Sequence, residues 1–109
     1  MNIVEETGGI PREVKQITIP HGSWKKLSEL GCTLVYGNQI ATKAILRIPD
    51  GKEIEMHTSA TAVAGTGFIL NDKFIVELQS SQEINTMLFR AIGGVDIVTS
   101  VIILTSQVG

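Results

Sequence analysis

The sequence is short of most of what chemistry at a site usually needs. Its 109 residues include one cysteine, two histidines, one tryptophan and three prolines, and only 18% of positions are charged. A single cysteine excludes an internal disulfide, and Cys32, set in the apolar stretch 32–36, reads as a buried, inert thiol. The two histidines, His21 and His57, lie in separate segments without the close ligand spacing of a metal site, so no metal is expected. No Gly-x-Ser-x-Gly elbow marks a nucleophile. Gly65-Thr66-Gly67 is a fragment of a dinucleotide fingerprint with no helix after it, and reads as a loop, so no cofactor is expected. Two carboxylate pairs exist. Glu5-Glu6 falls near the start, and Glu53 and Glu55 alternate with apolar residues, as charge on the solvated face of a strand would. The sum of these readings is a protein that is not an enzyme.

Other classes fall for want of charge or apolar length. Nine basic residues against eleven acidic ones give a net charge of −2, without a basic block, so no nucleic-acid partner is expected. Lys25-Lys26 reads as a solvated face. Five aromatics are too few for a stacking platform, and Phe68, Phe74 and Phe89 fall where a core needs them. The longest unbroken apolar run, residues 101–104, is far too short to cross a bilayer as a helix. The acidic opening, Met1 to Glu6, lacks the basic-then-apolar character of a signal peptide, and the expectation is a protein made in a cytoplasm and kept or assembled there.

What is present is period-two patterning. Residues 1–13 carry Gly8-Gly9 and Pro11 without alternation, and two readings stay open for them. One is a frayed end. The other is an extended N-terminal arm lying across a neighbouring subunit, with Ile3, Val4 and Ile10 as anchors. The folded domain then spans 14–109, beginning with a strand over 14–19 that Pro20 stops. A short helix is possible near 23–30, where Ser23 can cap Trp24, Leu27 and Leu30, and Gly31 can end it. Strands follow over 32–36 and 40–48, the second with Ile40, Thr42, Ala44, Leu46 and Ile48 on one face. Pro49-Asp50-Gly51 makes a turn. Further strands are read over 53–56, 58–64, 68–70, 74–78 and 84–91, with 79–83 as a polar loop. The run 95–105 closes the series, with Val95, Ile97, Thr99, Val101 and Ile103 on one face and Ile102 and Leu104 on the other. About eight short strands with frequent turns imply an all-β fold, an antiparallel β-sandwich of jelly-roll type.

Low charge on so small a domain implies that part of its surface faces protein, because a monomer this size has much surface to keep wet. The final strand, apolar on both faces in its second half, is the main candidate for that surface through Ile102 and Leu104. Trp24 is either a plug at one end of the sandwich or an interface anchor.

Residues 65–104 carry a Gly-bounded turn (Gly65-Thr66-Gly67), an aliphatic strand (Phe68-Ile69-Leu70), the turn Asn71-Asp72-Lys73, a strand from Phe74 to Leu78, and Gly94-Val95-Asp96-Ile97-Val98. In this order they resemble small β-sandwich structural proteins of tailed-bacteriophage virions, of the capsid cement or decoration type. The resemblance covers about the last 40 residues. It implies a homo-oligomer, expected to be a trimer, that contacts a major capsid or other virion protein and resides in the virion. An alternative is a receptor- or carbohydrate-binding head, or another tail or neck component, with a groove near Trp24 and Tyr36.

Overall fold

The alternation read from the sequence does produce strands, and a computed structural model arranges them in two antiparallel sheets. It describes residues 10–58, 65–71 and 74–107; the arm anchors Ile3 and Val4 lie outside these, as do the side chains of Ile10 and Gln107. The elements in chain order are β1 (Ile10–Ile19), a 3-10 turn (Leu27–Leu30), β2 (Val35–Tyr36), β3 (Gln39–Arg47), β4 (Glu53–His57), β5 (Phe68–Asn71), β6 (Ile75–Leu78), α1 (Ser81–Thr86), β7 (Leu88–Ala91) and β8 (Ile97–Gln107). The larger sheet runs β1-β8-β3-β2, with β6 also pairing β3, and the smaller runs β5-β4-β7. The fold is an all-β, sandwich-like globule with one short α-helix among the described residues.

The long C-terminal strand is the spine. β8 pairs β1 on one side, from Ile10 opposite Thr105 to Ile19 opposite Ile97, and β3 on the other. Its expected inward face is buried from Ile97 onward, with Ile97, Val101 and Ile103 at most 2% exposed, whereas Val95, expected on the same face, precedes the strand and is 53% exposed. The two inward threonines are satisfied, Thr99 donating to the Arg47 carbonyl and Thr105 to Gln39 Oε1 at 2.7 Å. Facing them across the core are Ile54, Leu70, Phe89 and Ala91 of the smaller sheet.

Several elements differ from the sequence reading. β1 begins at Ile10, so Ile10 to Glu13 extend the edge strand, against an expected start at Val14. β1 and β3 each carry a bulge, at Arg12 and Thr42, and both bulges lie beside Leu104 of β8. An inserted residue flips the phase of everything beyond it. Ala41 therefore points inward with Ala44 and Leu46, and the single face expected from Ile40 through Ile48 is broken. The helix expected near 23–30 shrinks to one 3-10 turn capped at Lys26, because Lys25 is drawn into a β-bridge with Phe89. Gly31, at φ 100°, ends it as expected. The strand expected over 32–36 is reduced to Val35–Tyr36. Cys32 is buried, and burial, with Glu13 nearby, pushes its thiol up to about 11.

The largest change of type is at 79–91. The polar loop and strand expected there are α1 followed by the shorter strand β7. Ser80 accepts from the Glu83 N–H at 3.1 Å, and Glu83 reaches back to the Gln79 N–H at 2.7 Å, a reciprocal arrangement that starts a helix. Of the strand expected at 58–64, residues 59–64 lie outside the described residues. Phe68 and Phe74, assigned to the core by sequence, are 68% and 51% exposed, and Phe89 alone of the three is buried.

Candidate functional site

Two features of the surface stand out, one polar and one apolar. The polar one is built on the outer face of the smaller sheet. Register places Ile69 of β5, Glu55 of β4 and Arg90 of β7 side by side. Glu55, expected on a solvated face, is fully buried, whereas Glu53 is exposed as expected. The correction has a clear cause, which is that three donors, the Arg90 guanidinium and the N–H groups of Gly65 and Gly67, replace water around Glu55. Its Oε1 accepts from Arg90 Nη2 at 2.6 Å and from the Gly65 N–H at 3.0 Å. Its Oε2 accepts from the N–H groups of Gly65 at 2.8 Å and Gly67 at 2.6 Å.

Glycine is required at position 67. A Cβ there would sit 2.6 Å from the Met56 carbonyl and 3.1 Å from Glu55 Cγ, so only a bare backbone lets the loop close on the strand. Burial by itself raises the Glu55 pKa. The Gly65 amide, the Arg90 guanidinium and the Gly67 amide more than offset that, and hold the carboxyl below its ordinary value. The Arg90 guanidinium also lies over the Trp24 ring at 5.5 Å, and Trp24 meets His57 edge-on at 5.7 Å. Arg90 Nε is buried without a partner among the described residues. Trp24 is thus half-buried against Arg90 and His57. Tyr36, the other aromatic expected beside a groove, is on the opposite sheet, its hydroxyl donating to Glu13 at 2.8 Å and its ring beneath Arg12.

Chemically this cluster is a fastening. Both Glu55 oxygens are committed to donors, so the carboxylate acts as the anion that fills its own loop's amide nest. Beside it lies a shallow depression of about 330 Å³ lined by Met56, His57, Thr58, Thr66, Gly67 and Phe68. The structure gives the two histidines different settings. His57 accepts from the Thr58 N–H through Nδ1 at 2.8 Å, and His21 pairs with Asp96 at 2.7 Å, lowering the Asp96 pKa through its ring and its backbone N–H. Among the described residues no three His, Cys, Asp or Glu side chains gather as a metal site would require.

The apolar feature is on the outer face of the larger sheet. Val14 of β1 stands opposite Ile102 of β8, and Ile102 opposite Ile45 of β3. Val14 is 71% exposed, Ile102 36%, and Ile45 and Leu104 are half-buried, with Val98 exposed further along β8. Of the residues singled out by sequence, Ile102 and Leu104 share this face. Ile10 is placed by its backbone opposite Thr105, and Trp24 lies against Arg90 of the smaller sheet, beside the Lys25–Phe89 bridge. Sequence reasoning missed Val14 and Ile45. Their signal was available, since each sits out of phase with the inward residues of its own strand. No protein-family profile, curated protein or solved structure matches the chain.

Proposed function

We propose that the chain is a non-enzymatic structural protein that works as a multimer, stabilising the junctions between subunits of a larger particle, in the manner of a capsid cement protein. The observation that carries this reading is the row Val14–Ile102–Ile45, an aliphatic stripe lying across three strands of one sheet face. Small domains rarely leave such a row to water. Burying a large aliphatic side chain contributes about 1.5–3 kcal/mol, whereas association costs roughly 4–15 kcal/mol in lost freedom. One row against one row is therefore marginal. Three rows meeting on a common axis bury more per copy, which favours a closed trimer over an isolated pair. The resemblance of residues 65–104 to virion sandwiches supports the particle, and a major capsid or other virion protein is the partner this reading names. The mechanism is interfacial: copies seated across a junction add buried apolar area and oppose its opening.

The test is light scattering on purified protein with Ile102→Lys and Val14→Lys. Each is expected to weaken self-association at least tenfold while the circular dichroism spectrum stays that of the parent. An association unchanged by both substitutions would remove this face from the function.

A further inference from the structure

The strands of the smaller sheet are four or five residues long and do not span the inner face of the larger one, whose β8 runs for 11. Near Glu13 that face is covered instead by residues 31–36, the segment between the 3-10 turn and the β2–β3 hairpin. Cys32, Leu34 and Tyr36 of this segment are buried or half-buried, and Thr33 and Val35 between them are exposed. The alternation lays the segment flat, with one side against the sheet.

The ground beneath it is unlike a core. Register puts Glu13 opposite Ile103 and Lys15 opposite Val101, and cross-strand partners share a face, so both charges point inward and are half-buried. A Cβ on Gly31 would lie 3.6 Å from Lys15 Cε, which places that side chain under the segment. Glu13 accepts from the Tyr36 hydroxyl at 2.8 Å. Arg12 lies over the same ring at 5.6 Å and donates to Gln39. The attachments of the segment are unequal. At the front, the Cys32 N–H bonds the Leu27 carbonyl at 3.1 Å; at the back, the Ala41 N–H reaches the Leu34 carbonyl at 2.8 Å. Only two residue pairs, Val35–Ile40 and Tyr36–Gln39, hold β2 to β3. Among the described residues no backbone hydrogen bond joins the segment to β1, and the tie across is the Tyr36–Glu13 bond with the Arg12 stack. Gly31 at φ 100° and Gly37 at φ 62° stand at its two ends.

We infer that residues 32–36 form a strap, fastened to β1 by the Tyr36–Glu13 bond, that opens while the sandwich stays folded. Closing it keeps Glu13 and Lys15 partly out of water, which costs free energy, and opening returns both charges to solvent. The two pairs of β2 give little back against that cost. Opening is therefore a local event, of the kind that exposes one segment well below the free energy of global unfolding. In the open position the inner ends of β1, β8 and β3 are uncovered and the Cys32 thiol meets solvent. The device is separate from the proposed function, which uses the opposite face of the same sheet. The strap opens whether or not the row Val14–Ile102–Ile45 is occupied.

The experiment is labelling of Cys32 by N-ethylmaleimide in the full chain, followed by mass spectrometry. The closed thiol is 6% exposed, and burial first, then Glu13, hold it up to about 11, so a reagent that takes the thiolate reads the open population. Labelling is expected to be at least about a hundredfold slower than in the urea-unfolded chain. It is expected to stay within about twofold as urea rises through concentrations below the unfolding transition, because a local opening exposes little surface. Tyr36→Phe and Glu13→Gln are each expected to speed it at least about fivefold, the loss of a charge-assisted hydrogen bond. Val35→Thr, on the exposed side of the same segment, is expected to leave it within about twofold. A rate that climbs with urea in step with global unfolding, or one unaltered by Tyr36→Phe, overturns the inference. Labelling as fast as in the unfolded chain also overturns it, since no strap would then lie closed over the thiol.

Discussion

Arg90→Ala is expected to destabilise the fold by about 3–5 kcal/mol, because it leaves the Glu55 carboxylate buried without its counter-charge. Against a total of roughly 5–15 kcal/mol for a domain, that is a loss of about a fifth or more. In thermal unfolding it corresponds to a fall of roughly 12 °C or more, at roughly 4 °C or more per kcal/mol for a domain near this size. Replacing both partners, Glu55→Leu with Arg90→Leu, removes the stranded charge but leaves the amides of Gly65 and Gly67 without acceptors, each worth about 1–3 kcal/mol when buried and unmade. The double variant is therefore expected to recover part of the loss and not all of it. Urea denaturation of the two variants and the parent checks both statements. Recovery to the parent's stability would show that the loop amides reach water.

The same cluster sets a pH dependence. The folded Glu55 carboxyl titrates below its ordinary value, so its contribution is complete above the unfolded pKa of about 4.3 and is lost as pH falls through the lower folded value. The parent should lose stability on acidification below about pH 4 more steeply than Glu55→Gln, which has no proton to take up there.

The second large effect is in the core. Phe89→Ala is expected to cost about 3–5 kcal/mol, since the ring is wholly buried at the centre of β7 and the wall around it relaxes only in part. Phe68→Ala, on a ring that is mostly exposed, should change stability by no more than about 0.5 kcal/mol. Guanidinium denaturation of the pair is decisive because the two residues look alike in sequence. Equal costs would mean that β5 is packed inward at Phe68.

The contrast shows what could be read in advance. β8 was legible because Ile97, Thr99, Val101 and Ile103 repeat at strict alternation, although the same alternation wrongly drew in Val95, and the Gly31 stop and the Pro49-Asp50-Gly51 turn were legible because glycine at positive φ leaves a compositional mark. The bulges at Arg12 and Thr42 were not, since an extra residue in a strand has no residue type of its own and shows only as a phase error between Ala41 and Ala44. α1 was legible in part: Ser80 and Glu83 have the spacing of a helix start, but the aliphatic sequence after Ile84 imitates a strand. Glu55 misled because an acid alternating with Ile54 and Met56 looks the same whether its face is wet or covered. The hints lay elsewhere, in Arg90 standing alone between Phe89 and Ala91, and in Gly65-Thr66-Gly67 ten residues beyond the carboxylate. Partners that distant in sequence meet only once the sheet exists. The apolar face was half legible, since Ile102 and Leu104 belong to an obvious strand, while Val14 and Ile45 join them through register alone.

The measurement that bears most directly on the account is sedimentation equilibrium of the unaltered chain from about 1 to 200 µM, a range suited to a contact whose apolar gain only modestly exceeds the cost of association. A mass that climbs with concentration to a multiple of 11.8 kDa is predicted. A constant 11.8 kDa across the whole range would contradict it.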